Sequence, residues 1–366
     1  MESLVMPQFW RGKRVFVTGH TGFKGSWLSL WLLRLGAEVM GLSLAPNTEP
    51  SLFEQLGLAR DLEHHIGDIQ DPNLVKKLVH NFQPDIVFHL AAQSLVRLSY
   101  SEPVLTWETN VIGTIHILES LRSLDKYCVG VMITTDKCYE NKEWVYGYRE
   151  NDPLGGHDPY SSSKAGAELA IASWAKSFFD RGNIRVVSAR AGNVIGGGDW
   201  ALDRIVPDAM RALGRGEAIP VRNPRATRPW QHVLEPLGGY LALGQKLYQQ
   251  LVAQEVLLEG AFNFGPNLHS NLSVKVLVEE ICKHWPGHWL DKSDPQAPHE
   301  ATLLNLVTDK AYHTLGWQPR WDFTETIQQT VFWYYQVHQL SPGDKDSVKF
   351  LTLSQIETYH SLLTQN

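Results

Sequence analysis

Tyr160 and Lys164, four residues apart in the run Tyr160-Ser-Ser-Ser-Lys164, form the pair in this sequence best suited to moving a proton. On a helix that spacing puts phenol and ammonium on one face. Taking a hydride from a secondary alcohol requires a base for the hydroxyl proton, and an unassisted phenol titrates only near about pH 10. A nearby ammonium favours the phenolate and can also hold a nicotinamide ribose. Upstream, Thr134-Thr135-Asp136-Lys137 offers a hydroxyl, Thr135, to bond the alcohol under oxidation, with a carboxyl and an amine beside it. Taken singly, Tyr-x-x-x-Lys is common on helix surfaces, and Asp136-Lys137 also reads as a solvated charge pair in a loop. Their place in the chain gives them weight.

Thr18–Gly25 reads TGHTGFKG, with glycines at Gly19, Gly22 and Gly25 between a predicted strand and a predicted helix. Gly19 permits a tight turn, Gly22 lets backbone approach a pyrophosphate, and Gly25 allows close helix–strand packing. A glycine triplet alone is weak evidence; at the first strand–helix junction of the chain it becomes a dinucleotide signal. The G-x-x-G-x-x-G spacing resembles that of the extended short-chain dehydrogenase/reductases. The acidic residue expected about 20 positions on, to hold a ribose, is missing, for the second strand ends Gly41-Leu42-Ser43. No arginine stands there either, so local chemistry does not choose between NAD and NADP. Asp68, in Gly67-Asp68-Ile69, resembles the family position that accepts from the adenine amino group; its alternative is a helix N-cap ahead of Pro72. Ala91-Ala92 match the family's small-residue turn beside the cofactor, and Phe23, Lys24 and Ile69 join the expected cofactor contacts.

The elements that must hold these residues follow from periodicity. Short β-branched runs alternate with helical patterns through the first half, which predicts a parallel sheet covered on both faces. Strands are expected at Arg14–Thr18, Glu38–Ser43, Asp61–Ile66, Asp85–Leu90, Val129–Thr134 and Ile184–Ala189. Helices are expected at Phe23–Leu35, Pro72–Phe82, Pro103–Leu121 and Tyr160–Phe179. The fold class is α/β: a Rossmann-type doubly wound parallel sheet with a smaller C-terminal substrate-binding lobe. Residues 1–190 form the dinucleotide-binding domain, with a return segment near 226–264. Residues 191–225 and 265–366 form the lobe.

Composition agrees with a globular protein: 43% hydrophobic and 20% charged residues, with net charge −6. The basic residues are interspersed, which argues against nucleic acid or a membrane surface as partner. Three cysteines without metal-like spacing argue against a disulfide framework and against a metal site, and point to a reducing cytoplasm. Met1–Trp10 lacks the basic-then-apolar pattern of a secretion signal. Thirteen tryptophans read as aromatic filler of core and interfaces.

Beyond Arg190 the resemblance sharpens. Arg190-Ala-Gly-Asn-Val-Ile-Gly-Gly-Gly-Asp-Trp200, with Asp203-Arg204-Ile-Val-Pro207 and Thr227-Arg228-Pro-Trp-Gln-His-Val233, is similar to the sugar-nucleotide 4,6-dehydratases. The CDP-glucose branch of that family is the nearest in pattern. There Asp136-Lys137 and the run Asp136–Trp144 (DKCYENKEW) also match, whereas dTDP-glucose enzymes carry Asp-Glu. The resemblance runs from about Lys13 to Trp321. It implies NAD as cofactor and CDP-glucose as substrate, oxidised at C4, dehydrated across C5/C6 and reduced at C6. Asp136 is then the acid, and the C5 base is Lys137 or Tyr160. Asn193 would lie near the sugar or diphosphate, and Arg228 would clasp the diphosphate bidentately. Arg204 and, more weakly, Arg97 and Pro298-His299-Glu300 would assist. A homo-oligomer, dimer or tetramer, is implied through the helices at 103–121 and 160–179. A 4-epimerase or 4-reductase would keep Thr135, Tyr160 and Lys164 without needing Asp136-Lys137. A catalytically silent nucleotide-binding sensor would have no need of the tyrosine and lysine.

Overall fold

The computed structural model describes residues 4–293 and 303–363. Seven strands pair side by side, all parallel: Arg14–Thr18 (β1), Glu38–Ser43 (β2), Glu63–Ile66 (β3), Ile86–His89 (β4), Cys128–Ile133 (β5), Ile184–Ala191 (β6) and Ala261–Phe264 (β7). Their order is β3-β2-β1-β4-β5-β6-β7, so the direction of winding reverses between β1 and β4. At such a reversal the carboxyl ends of the strands open a crevice. Residues of β4 and β5 are buried throughout, as strands covered on both faces must be.

The flanking helices include Phe23–Arg34 (α1), Pro72–Phe82 (α2), Gly113–Leu121 (α3), Pro159–Phe178 (α4) and Leu234–Ala253 (α6). Between α4 and α6, Ile205–Gly214 (α5) starts the lobe, which continues with Val274–His284 (α7) and Phe323–Gln339 (α8). β7 pairs in parallel with β6, and α6 packs against the same sheet. Three short strand pairs stitch the lobe, among them Thr227–Pro229 antiparallel to Asn271–Ser273.

Three differences from the sequence reading have physical causes. The third strand begins at Glu63 because Leu58–Arg60 closes a 3-10 turn just before it. The helix expected over 103–121 is interrupted by a π segment at Glu108–Ile112. Its wider turn goes with buried Asn110, whose Nδ2 donates to the Gln93 carbonyl (3.0 Å) and Ser163 Oγ (2.9 Å). The last helix, Lys345–Leu363 (α9), read with the lobe, packs on the lobe helix α8 and also on α1 and α6. Glu235 of α6 draws it there: its carboxylate accepts from Tyr359 Oη (2.6 Å) and from the backbone N–H groups of Arg320 and Trp321.

The tryptophans are largely core, with Trp10, Trp27, Trp31, Trp317 and Trp333 fully buried. They also explain part of the glycine run. A Cβ on Gly197 would fall 2.1 Å from the Trp333 ring, and Trp27 Nε1 donates to the Gly197 carbonyl (2.9 Å). Among the described residues no helix is long and apolar enough to cross a membrane, and no cluster of His, Cys, Asp or Glu is arranged to hold a metal.

Candidate active site

The glycine loop lies at the switch point, between β1 and α1. Gly19 has φ +75°, and a Cβ there would stand 2.7 Å from the Ala91 nitrogen, so loop and Ala91-Ala92 turn touch backbone to backbone. A Cβ on Gly25 would meet the Gly19 carbonyl at 2.1 Å, which seats α1 against the loop. Gly22 is exposed and would meet only its own loop, at 3.4 Å, leaving its outer face open to a pyrophosphate. This cradle fits a dinucleotide. Phe23 and Lys24 open α1, and Lys24 is pushed down to about 8 by burial and by Arg204, with Asp136 opposing. Thr21 and Ser43 share a hydroxyl–hydroxyl bond (2.8 Å) where an acidic residue was sought. Asp68 is not the cap of α2; Asp71 is, accepting from the Asn73 and Leu74 nitrogens. Asp68 instead accepts from the Gln70 nitrogen (2.9 Å), with Ile69 buried beside it.

At the carboxyl end of β5, Thr135 caps a short 3-10 turn, Asp136–Cys138, accepting from the Lys137 nitrogen (3.3 Å). Its own proton goes to Asp136 Oδ1 (3.0 Å). Asp136 is buried, and burial raises its pKa above the ordinary carboxyl range against the pull of Lys137, Thr135, Lys24 and Arg228. Burial thus shifts this carboxyl toward its protonated form, the form that can donate a proton. Lys137 Nζ stands 6.0 Å from the Tyr160 ring centre. Tyr160 and Lys164 share a buried face of α4, whose first turn Asp158 caps. Burial is the largest influence on both: it drives the Tyr160 phenol up to about 12 and the Lys164 ammonium down to about 8. The cation acting on the phenol is Arg204, with the Thr135 hydroxyl, rather than Lys164 as the spacing suggested; packing removes water from both side chains and disfavours both charged forms.

Gly192, just past β6, faces the acid: a Cβ there would lie 2.7 Å from Asp136 Oδ2. Asn193 follows it, half-buried. Arg204 is paired with buried Asp199 (2.9 Å), and Arg228, on the strand 227–229, lies within electrostatic reach of Asp136. Arg97 stands apart, in an exposed ion pair with Asp203 (3.4 Å). Pro298-His299-Glu300 lies outside the described residues.

Residues 16–330 match the family described as GDP-mannose 4,6 dehydratase. The chain belongs to that family. Among relatives in this dehydratase family, the CDP-glucose 4,6-dehydratase of Salmonella typhimurium is 48% identical over 338 residues, covering 90% of this chain and 93% of that protein. The dTDP-glucose 4,6-dehydratase of Haemophilus influenzae is 26% identical over 344 residues, 87% and 97% of the two chains. In fold, the crystal structure of the Streptomyces venezuelae dTDP-glucose 4,6-dehydratase with NAD bound superposes with TM-score 0.74 at 23% identity, covering 92% and 99%.

Several residues of this GDP-mannose 4,6 dehydratase family member enter the site only through its tertiary structure. His89 receives the Thr18 proton at Nδ1 (2.7 Å) and donates from Nε2 to Thr114 Oγ1 (3.0 Å). Thr18 accepts from the Ala91 nitrogen and Thr114 donates to the Asn110 carbonyl, which fixes that tautomer by proton count. Burial holds His89 neutral, down to about 3. The chain braces the Ala91-Ala92 turn, and Asn110 ties the same loop to α4 between Tyr160 and Lys164. Glu168, one turn beyond Lys164, is buried with Arg190 (2.7 Å). A second arginine near the end of a largely buried strand was the available signal, since a buried cation requires a carboxylate.

Proposed function

We propose that this chain dehydrates CDP-D-glucose to CDP-4-dehydro-6-deoxy-D-glucose, with NAD as a cofactor regenerated in each turnover. The observation that carries the reading is a buried Asp136, its carboxyl shifted toward the protonated form, beside Lys137 and Tyr160 at the sheet's carboxyl edge. Simple alcohol oxidation or epimerisation needs no such acid. The likeness to the Salmonella CDP-glucose enzyme across nearly the whole of both chains supports the nucleotide.

The loop at Gly19, Gly22 and Gly25, with Phe23, Lys24, Asp68, Ile69, Ala91 and Ala92, holds NAD. When bound, NAD supplies the hydride acceptor for C4 and the hydride donor for C6. Tyr160 Oη takes the C4 hydroxyl proton, with Thr135 orienting that hydroxyl, Arg204 favouring the phenolate and Lys164 holding the nicotinamide ribose. The C4 ketone acidifies the C5 proton, which passes to Lys137 Nζ, or to Tyr160 Oη once that phenol has released the C4 proton; the same base returns a proton to C5 as the hydride reaches C6. Asp136 gives its proton to the C6 hydroxyl oxygen, so the C6–O bond breaks with loss of water and a C5=C6 double bond forms. Such groups contribute about 10²–10⁴-fold each. Asn193, Arg204 and Arg228 hold the sugar nucleotide, the guanidiniums neutralising the diphosphate. The enzyme works in the cytoplasm as a homo-oligomer. Exposed Leu98, Val104, Trp107, Ile112 and Leu169 along residues 98–112 and α4 support association through that face, to be checked by sedimentation.

Incubation with CDP-glucose and catalytic NAD tests the reading, with UDP-, GDP- and dTDP-glucose in parallel. The expected product is the 4-keto-6-deoxy sugar from CDP-glucose first. A C4 epimer, or stoichiometric release of reduced NAD, would refute it.

A further inference from the structure

We propose that Glu168 is a positioning residue for the oxidising pair: its buried carboxylate clamps α4 to β5 and β6 and keeps an anion one helical turn from Lys164, so that the lysine remains an ammonium beside Tyr160. The inference rests on the reading of Tyr160 and Lys164 given above.

Tyr160, Lys164 and Glu168 follow at four-residue spacing on α4, and all three are buried. The Glu168 carboxylate is fully engaged. One oxygen accepts the Thr134 hydroxyl proton; the other accepts from Ser188 Oγ (2.8 Å) and Arg190 Nη2 (2.7 Å). Arg190 can only donate, and the two hydroxyls donate here because a carboxylate only accepts; a glutamine could keep its oxygen on Arg190 and donate to a hydroxyl, so it removes the charge while leaving the bonds satisfiable. Thr134 directly precedes Thr135. The clamp therefore sets the separation between the β5 end carrying Thr135 and Asp136 and the helix carrying Tyr160 and Lys164. Arg190 is itself fixed, donating from Nη1 to Tyr139 Oη (2.7 Å) and to the Glu150 carbonyl (3.0 Å).

Lys164 has no hydrogen bond or ion pair among the described residues, yet it is buried. Glu168 is the largest influence that favours its charge. The carboxylate, four residues on along α4, is the anion of that helix face nearest in sequence to the lysine.

Glu168→Gln removes the charge with little change of shape. Its kcat for CDP-glucose is expected to fall at least tenfold. The alkaline limb of its kcat/KM–pH profile should move down by about one pH unit, because Lys164 loses its proton earlier. Glu168→Asp should restore the limb. The double variant Thr134→Val/Ser188→Ala keeps the charge and loosens the clamp, lowering kcat several-fold with the limb unmoved. A wild-type limb in Glu168→Gln overturns the proposal. Should that variant not fold, a wild-type kcat in the double variant, or a displaced limb in Glu168→Asp, overturns it instead. Tyr160→Phe separates the two levels: activity retained there refutes the functional reading. Activity lost there, with Glu168→Gln unshifted, refutes only the role of Glu168.

Discussion

Gly192→Ala places a methyl group against the acid, and its effect can be worked from distances. The added Cβ would stand 2.7 Å from Asp136 Oδ2, 3.4 Å from its Cγ and 3.6 Å from Pro229 Cγ. Comfortable contact begins near about 3.4 Å, so the carboxyl must retreat by about 0.7 Å. It has little room, being 3% exposed and held by the Thr135 hydroxyl. Overpacking of this kind costs about 1–3 kcal/mol in stability. A misplacement approaching 1 Å can cost about 10²-fold in rate, and a general acid contributes about 10²–10⁴-fold. Dehydration by Gly192→Ala is therefore expected to slow by about 10–100-fold. Oxidation at C4, which relies on Tyr160, Thr135 and Lys164, should persist. In a single-turnover mixture with CDP-glucose, the absorbance of reduced nicotinamide should rise and stay on the enzyme, while the 4-keto-6-deoxy product appears slowly. Asp136→Asn, which leaves the glycine intact, should show the same accumulation. An unchanged kcat in Gly192→Ala would refute the claim that the position of this carboxyl limits elimination.

Lys137→Met separates the two candidates for the C5 base: loss of elimination by about 10²–10⁴-fold, with loss of solvent-deuterium incorporation at C5, assigns the proton to Lys137, whereas full rate assigns it to Tyr160. Glu235 makes stability depend on pH in an unusual direction. Burial raises its carboxyl from 4.5 to about 7, so the folded state retains a proton that the unfolded state releases. Its contribution is full below about pH 4.5 and lost as pH rises to about 7, a difference of about 3 kcal/mol. The melting temperature should therefore fall across that window, with other groups superposed. Glu235→Gln should flatten the fall and be the more stable protein at pH 8; a variant melting lower than wild type at pH 8 would refute this account.

Much of the candidate site was legible in the chain because its parts are local. A strand–glycine–helix junction is written in consecutive residues, and so is the Tyr160–Lys164 spacing on one helix face. Asp71 as the true cap of α2 lay within reach too, since a cap must immediately precede its helix. What escaped the sequence involves distant partners. Nothing near Gly192 announces that it faces Asp136, 56 positions away. The placement of α9 on α1 and α6 depends on Glu235 meeting Tyr359 and the backbone at Arg320 and Trp321. The π segment at Glu108–Ile112 goes with what Asn110 bonds across the fold.

The sequence by itself determined the alternation of strands and helices, the glycine-bearing strand–helix junction, and the spacing of Tyr160 and Lys164 on one helix face, because period, turn chemistry and spacing are properties of neighbouring residues. Only the tertiary structure decided the state in which those groups are held. Packing strips water from Asp136, Tyr160 and Lys164, moving each away from its charged form, and brings Glu168 and Arg190 behind them. Acidity in a folded protein depends on what surrounds a group in space, and adjacency along the chain does not set it.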